Sequence, residues 1–399
     1  MSPIQVTQAD AIIAEHIAPR ESDSVALDDA VGMVLRQQVF AERDQPPFHR
    51  VTMDGIALAF DGTRTQEEFM VQSVQHAGDP KHTLKDPQHC IEIMTGAQLP
   101  DGCDCVIPIE VYQKKEGKIR LNSDYEPRLM GNIHPKGSDR KKDEALLQPG
   151  IQINAPEMAI LASAGLPQVN VSKDLSIAIL STGTELVEVD APIENYQIRR
   201  SNDRALATSL QKAGFRRITR HHLLDDPVQL EEKISSLLDS NDFLIVSGGV
   251  SKGVKDFVPG ILANLGVVKH FHRVAQRPGK PLWFGTTTNN KTVFGLPGNP
   301  VSSLVCLVRY VIPACRRSLG LGAAPETWVT LMDSVQFEPS LAWFLPVTLT
   351  GDEQGFRAKP RITNTSGDFV SLAGTHGFVE LEATTNHFPA GHRARFFGW

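Results

Sequence analysis

The stretch 243–256, FLIVSGGVSKGVKD, constrains the fold more than any other part of the chain. Residues 243–246 form a short apolar run without alternation, the pattern of a strand buried on both faces of a parallel sheet. Gly248 and Gly249 end that run and allow the backbone a positive φ. Asp256 then opens an amphipathic run to Leu265 that stops before Gly266. Strand, glycine turn and helix in this order predict a ligand-binding turn at the carboxyl edge of a doubly wound sheet, where main-chain N–H groups can hold an anion.

The same rhythm repeats from Leu175 onward. A strand over 175–180 ends at STGTEL, which carries Glu185, and a helix over 203–213 is stopped by Gly214. The next strand, 215–224, ends at Asp225-Asp226. Asp226 can cap the following helix and Pro227 can take its first position, which frees Asp225 to point elsewhere. Strands at 282–284, behind RPGKP, and at 292–296, before PGNP, complete the set. A long helix then starts with Asn299 as cap and Pro300 in its first turn, and Pro313 kinks it because proline has no N–H to return to Arg309. Glu185, Asp225, the glycine turn with Asp256 and the PGNP loop thus all follow strands. In a parallel sheet their ends share one edge, so a cleft is expected there.

The flanking segments read differently. A helix with a T-Q-A-D capping box starts at Thr7, carries Ile12, Ile13 and Ile17 at helical spacing, and is closed by Pro19. After Pro46-Pro47 the text turns to short β runs, among them 91–94, 105–109 and a hairpin over 111–121 turning at Glu116-Gly117. Asn154 caps a helix over 155–164. From Glu326 onward, short alternating strands return with turns at Gly351, Gly355, Gly367 and Gly391. The expected class is a multidomain α/β plus β protein. A helical connecting lobe (1–44 and 131–172) receives an inserted β-rich lobe (45–130), followed by a doubly wound α/β lobe (173–322) and a C-terminal small β barrel (323–399).

Composition narrows the function. A net charge of -6 over 399 residues argues against a nucleic-acid partner, and the basic cluster Arg216, Arg217, Arg220, His221, His222 reads as a solvated strand edge. With no run of about 18 apolar residues and no leader pattern, neither a membrane span nor a signal peptide is expected, and the location is read as cytoplasmic. Five cysteines without zinc spacing read as buried, inert thiols.

Seven strings, MDGIA, MTGA, NIHPKGSD, STGTEL, SGGVSKGVKD, RPGKP and GLPGNPVS, occur in the order seen in the molybdopterin molybdotransferases, the MoeA and gephyrin E-domain family. The chain resembles that family over nearly its whole length. The resemblance implies an elongated homodimer whose α/β lobe binds molybdopterin, with each active cleft shared between subunits. It also implies insertion of molybdate into the dithiolene of adenylylated molybdopterin, with Mg²⁺ and release of AMP. The implied protein partners are the enzyme that adenylylates molybdopterin and the molybdoenzymes that receive the cofactor. By the same resemblance, Asp54, Thr95, Asp139, Glu185, Asp225 and Asp256 match the functional acidic and hydroxyl positions, and Lys280, Pro297 and Pro300 match substrate-loop positions. Gly248, Gly249, Ser251, Arg277, Gly298, Asn299 and Ser302 would supply donors and cations to phosphate and oxyanion, Ser366 is retained, and Glu185, Asp225 and Asp256 are the candidate Mg²⁺ ligands. The chain departs from the pattern at Ile56, where the family has tyrosine, at Ser138 in place of a glutamate, and at Pro346 in place of an arginine whose duty Arg357 or Arg361 could take. Two other functions share parts of this pattern: molybdopterin adenylylation, and a dimeric scaffold without chemistry.

Overall fold

The computed structural model describes residues 2–250, 257–353 and 355–399. Ser251 and Asp256 therefore lie outside the described residues. The chain forms two units: Met1–Gln37, Pro149–Asn154 and Gln168–Trp399 make the first, and Gln38–Gln148 with Ala155–Pro167 make the second.

In the first unit a six-stranded sheet has the spatial order Arg217–Leu223, Ser176–Thr182, Phe243–Ser247, Thr292–Leu296, Trp283–Thr286, Val268–His272. The first four strands are parallel, and Trp283–Thr286 runs antiparallel to both of its neighbours. Every residue of Ser176–Thr182, Phe243–Ser247 and Thr292–Leu296 is buried, as continuous apolar strands require when helices cover both faces. On one face the helices Val6–His16 and Asn202–Lys212 and the helical stretch 300–318 pack through Ile13, Leu206, Leu210, Val305 and Tyr310. On the other, Pro227–Ser240 contributes Leu230, Ile234 and Leu237, and Val258–Asn264 contributes Ile261 and Leu262. Each such side chain stabilises the fold by roughly 1.5–3 kcal/mol. Arg217–Leu223 is the edge strand, so the basic cluster sits on the solvated edge that its composition implied.

Two expected helix features are realised by other means. The first helix spans Val6–His16, and its capping box pairs Gln5 with Gln8 instead of starting at Thr7. The expected kink at Pro313 takes the form of a π-turn. Pro300–Cys306 is α-helical, Leu307–Val311 is π-helical, and Ile312–Ser318 resumes the α-helix. The Ile312 N–H reaches back five residues to the Leu307 carbonyl, and all five residues of the π-turn are buried.

The first unit ends in a closed five-stranded barrel of Thr327–Leu331, Ala342–Asp352, Gly355–Pro360, Gly377–Leu381 and Arg393–Gly398. Val329, Leu345, Val347, Ala358 and Val379 fill it. Gly351, expected at a turn, lies within a strand opposite Phe356.

The second unit is built on a six-stranded sheet in the order Cys105–Pro108, Gly55–Leu58, His89–Ile93, Glu68–Gln75, Lys118–Leu121, Tyr112–Lys115. The last two strands are the expected hairpin, and Glu116 and Gly117 take positive φ at its tip. The segments 1–44 and 131–172 are divided between the units by their pairings. Ser22–Ala26 pairs with Gln168–Ser172 in the first unit, whereas Val39–Phe40 pairs with Ala145–Leu147 in the second. The helices Val6–His16 and Ala155–Ser163 accordingly belong to different units. All five cysteines are free and buried, and burial pushes the Cys90, Cys103 and Cys306 thiols up to about 12. Among the described residues no helix is long and apolar enough to cross a membrane.

Candidate active site

A cleft of about 1200 Å³ opens at the carboxyl edge of the first unit's sheet. Each of its walls follows from the topology. The ends of Ser176–Thr182, Arg217–Leu223, Phe243–Ser247 and Thr292–Leu296 deliver Glu185, Asp225, the Gly248–Gly249 turn and the 297–300 loop to that edge. Because Trp283–Thr286 runs the other way, the loop preceding it, with Arg277 and Lys280, arrives at the same edge. Ser302 and, from the barrel segment, Ser366 complete the described lining among the expected residues.

Local geometry explains the residue types. Gly248 and Gly249 have φ of 98° and 66°, and a Cβ on them would stand 2.8 Å from the Thr182 carbonyl oxygen and 2.9 Å from the Thr182 hydroxyl. Only glycine lets the turn pass this close over the strand end. The Thr182 hydroxyl beneath it is buried and makes no hydrogen bond among the described residues. Glu185 folds back over Gly183, where an added Cβ would sit 2.7 Å from its carboxylate. Thr184 donates its hydroxyl to Asp225 at 3.4 Å. Arg277 lies over the Phe337 ring, with its guanidinium carbon 5.8 Å from the ring centroid.

Some expected donors are already used. The Gly248 N–H donates to the Leu296 carbonyl, and the Val301 N–H donates to the Ser366 carbonyl, so neither is open to an anion. Asn299 stands at the cap position of its helix, but its side chain makes no capping bond there and donates to Ser366 Oγ at 2.8 Å. Asn202, which sequence reasoning passed over, donates to the Gly298 carbonyl at 2.7 Å and to Ser247 Oγ at 3.4 Å, tying two loops of the cleft together. Its signal was the S-N-D string opening a helix after a strand. Arg357 pairs with Asp352 at 3.3 Å, and neither Arg357 nor Arg361 belongs to the described lining of the cleft. Pro346 itself is buried in its barrel strand.

Asp54, Thr95 and Asp139 belong to the second unit. Thr95 donates both its N–H (2.7 Å) and its hydroxyl (2.8 Å) to Asp54 Oδ1. These two bonds, the backbone one foremost, hold the Asp54 carboxyl below the usual carboxylate range. Asp139 Oδ1 lies 2.8 Å from His134 Nε2, and Arg50 lies 3.0 Å from His134 Nδ1. Arg50 has no acceptor, so His134 accepts through Nδ1 and donates from Nε2 to Asp139. Ile56 is fully buried among Leu58, Phe69 and Ile107, so the position that carries tyrosine in the pattern is filled here by core packing.

The geometry can be set beside known proteins. Residues 4–165 match the MoeA N-terminal region (domain I and II), and residues 178–317 match the "Probable molybdopterin binding domain". The molybdopterin molybdenumtransferase of Synechocystis sp. is 38% identical across 99% of this chain and 100% of its own length. The chain belongs to the molybdopterin molybdenumtransferase family. The family member from Haemophilus influenzae is 32% identical across 76% of this chain and 74% of its own. The crystal structure of the molybdopterin biosynthesis MoeA protein from Pyrococcus horikoshii superposes over the whole of both chains, with a TM-score of 0.82 and 27% identity. The cleft residues from Ser181 to Ser302 lie in the molybdopterin-binding match and Ser366 lies beyond it, while the Asp54–Thr95 pair lies in the N-terminal match.

Proposed function

We propose that the protein inserts molybdate into the dithiolene of adenylylated molybdopterin and releases AMP, with the cleft as the nucleotide and pterin site. The observation that carries this reading is the convergence of Glu185, Asp225, the glycine turn, Lys280 and the 297–300 loop on one cleft in a member of this family. The substrate carries a phosphoanhydride and molybdate is a dianion, so cations must face them. Lys280 and Arg277 are exposed cations of the lining that can do so, whereas Arg199, the third, spends its Nη1 on the Glu188, Val189 and Ala191 carbonyls.

The carboxylates require a counter-charge beside phosphate. Among the described residues no three His, Cys, Asp or Glu side chains gather into a metal cluster. Mg²⁺, however, takes only one or two carboxylates and keeps several waters, and Glu185 and Asp225 with the Thr184 hydroxyl are an all-oxygen set of that kind. These residues would hold it, and when bound it would neutralise charge building on the phosphoanhydride. Asp256, the third candidate, lies outside the described residues. Asp54, ionised and gripped by Thr95, and Asp139, fixed by His134, are assigned to orienting water or moving a proton. Homodimerisation, a cytoplasmic location and handover from the adenylylating enzyme to recipient molybdoenzymes belong to the same reading.

The test is AMP release from adenylylated molybdopterin by purified protein, with and without molybdate and Mg²⁺. Release that needs both, and that falls at least 100-fold in Lys280→Ala, is the expected result. Binding without molybdate-dependent release would overturn the reading.

A further inference from the structure

The π-turn at Leu307–Val311 is unexplained by the cleft lining, yet a chain of side chains connects it to the loop that presents Lys280. Tyr310 is 1% exposed, and its hydroxyl donates to the buried Gln276 Oε1. Gln276 Nε2 donates in turn to the Pro278 carbonyl at 3.1 Å and lies 3.6 Å from Cys306 Sγ. The Cys306 thiol reaches the Gly279 carbonyl at 3.6 Å. The Val274 N–H donates to the Lys280 carbonyl at 2.9 Å. Three consecutive carbonyls, those of Pro278, Gly279 and Lys280, are therefore each held from the interior, and Gln276 is the hub. The packing leaves no slack. A Cβ on Gly279, whose φ is 90°, would stand 2.5 Å from Cys306 Sγ and 2.7 Å from Gln276 Nε2.

We propose that Gln276 is a positioning residue for Lys280, held in turn by the Tyr310 hydroxyl from the π-turn. All five residues of the π-turn are buried, Arg309 and Tyr310 among them, as are Val305 and Cys306 of the α-helical turn before it. Gln276 offers the amide geometry the site needs: one acceptor for the phenol and one donor for the loop. An unfilled donor or acceptor in so dry a place is unfavourable, so loss of either bond loosens the loop. Lys280 itself makes no ion pair among the described residues, so its position is set by its backbone. The role of Lys280 rests on the functional reading above, whereas the anchoring of its loop does not.

The experiment uses the full-length protein and two variants, Gln276→Met, which keeps shape and removes both bonds, and Tyr310→Phe, which removes one oxygen. Amide-resolved hydrogen exchange without ligand reads the Val274 N–H, whose acceptor is the Lys280 carbonyl. It is expected to exchange at least tenfold faster in both variants, while amides in Pro227–Ser240 stay at wild-type rates. Affinity for adenylylated molybdopterin is then measured in the wild-type and Lys280→Ala backgrounds. A roughly tenfold loss in the first that vanishes in the second supports positioning, because a general structural defect would persist in both. Val274 exchange within twofold of wild type, or equal losses in both backgrounds, overturns the inference. If Gln276→Met does not fold, Tyr310→Phe decides alone. A wild-type protein that binds no adenylylated molybdopterin sinks the functional reading, and the exchange result then judges the loop anchoring by itself.

Discussion

Thr95 grips one oxygen of Asp54 twice, and the two donors are separable by mutation. Thr95→Val removes the hydroxyl and leaves the N–H, so the Asp54 carboxyl should titrate closer to its ordinary value but still below it. The sign follows from the depressed pKa. Whatever the ionised form contributes is present above the unfolded carboxylate value and is lost as pH falls through the lower, folded one. In Thr95→Val that loss moves to higher pH, and so does the acid limb of any activity that needs ionised Asp54. Carbon-detected NMR titration of the Asp54 carboxyl reads the shift directly; an unchanged midpoint refutes it. The neighbouring glycine of the same string answers to a steric rule. An added Cβ on Gly55 would lie 2.0 Å from the Ile107 carbonyl oxygen, so the MDGIA string needs glycine for sheet packing before any chemistry is considered.

At the level of elements, adjacent aspartates divide structure from chemistry. The Asp226 side chain accepts from the Val228 and Gln229 N–H groups at the start of Pro227–Ser240, while Asp225 turns into the cleft. Asp226→Ala should lower stability by about 1 kcal/mol in urea unfolding and leave substrate turnover near wild type. Asp225→Asn should do the reverse, with stability within about 0.5 kcal/mol of wild type. Such caps were readable because they are local: Asp226 followed by Pro227 is a signal confined to three residues. The strand Phe243–Ser247 was readable for the same reason, as an unbroken apolar run over 243–246 just ahead of the Gly248–Gly249 turn. What escaped sequence reasoning depended on partners far along the chain. The π-turn brings Tyr310 to Gln276, 34 positions away, and the Arg277–Lys280 loop, whose residues the family resemblance had named, arrives at the cleft edge through an antiparallel strand that its own residues do not announce. Asn299 was read as a cap from its type and position, but a serine 67 positions away claims its side chain.

Over the whole molecule, Arg309 holds the ends of the first unit's sequence to its middle. Its guanidinium makes two 2.8 Å bonds to Asp10 of the first helix and a 3.0 Å bond to Glu380 of the barrel. Burial disfavours that charge, but the two carboxylates outweigh it and its pKa lies above the ordinary guanidinium value. Arg309→Ala would leave Glu380, whose side chain is 20% exposed, without this partner, and a loss of about 3 kcal/mol is expected in chemical denaturation. A loss under about 1 kcal/mol would mean that water replaces the pair. The same bonds set a timetable at the ribosome. Asp10 must wait for a partner 299 residues later, which at 5–20 residues per second is roughly 15–60 s of synthesis. Until the strands that begin at Ser176 are made, the apolar stripe Val6, Ala9, Ile13 has none of its final sheet to cover it. The second unit, whose residues end at Pro167, is by then entirely translated. The nascent chain thus carries a fully translated lobe and a helix with an uncovered apolar stripe together until the first sheet strands emerge.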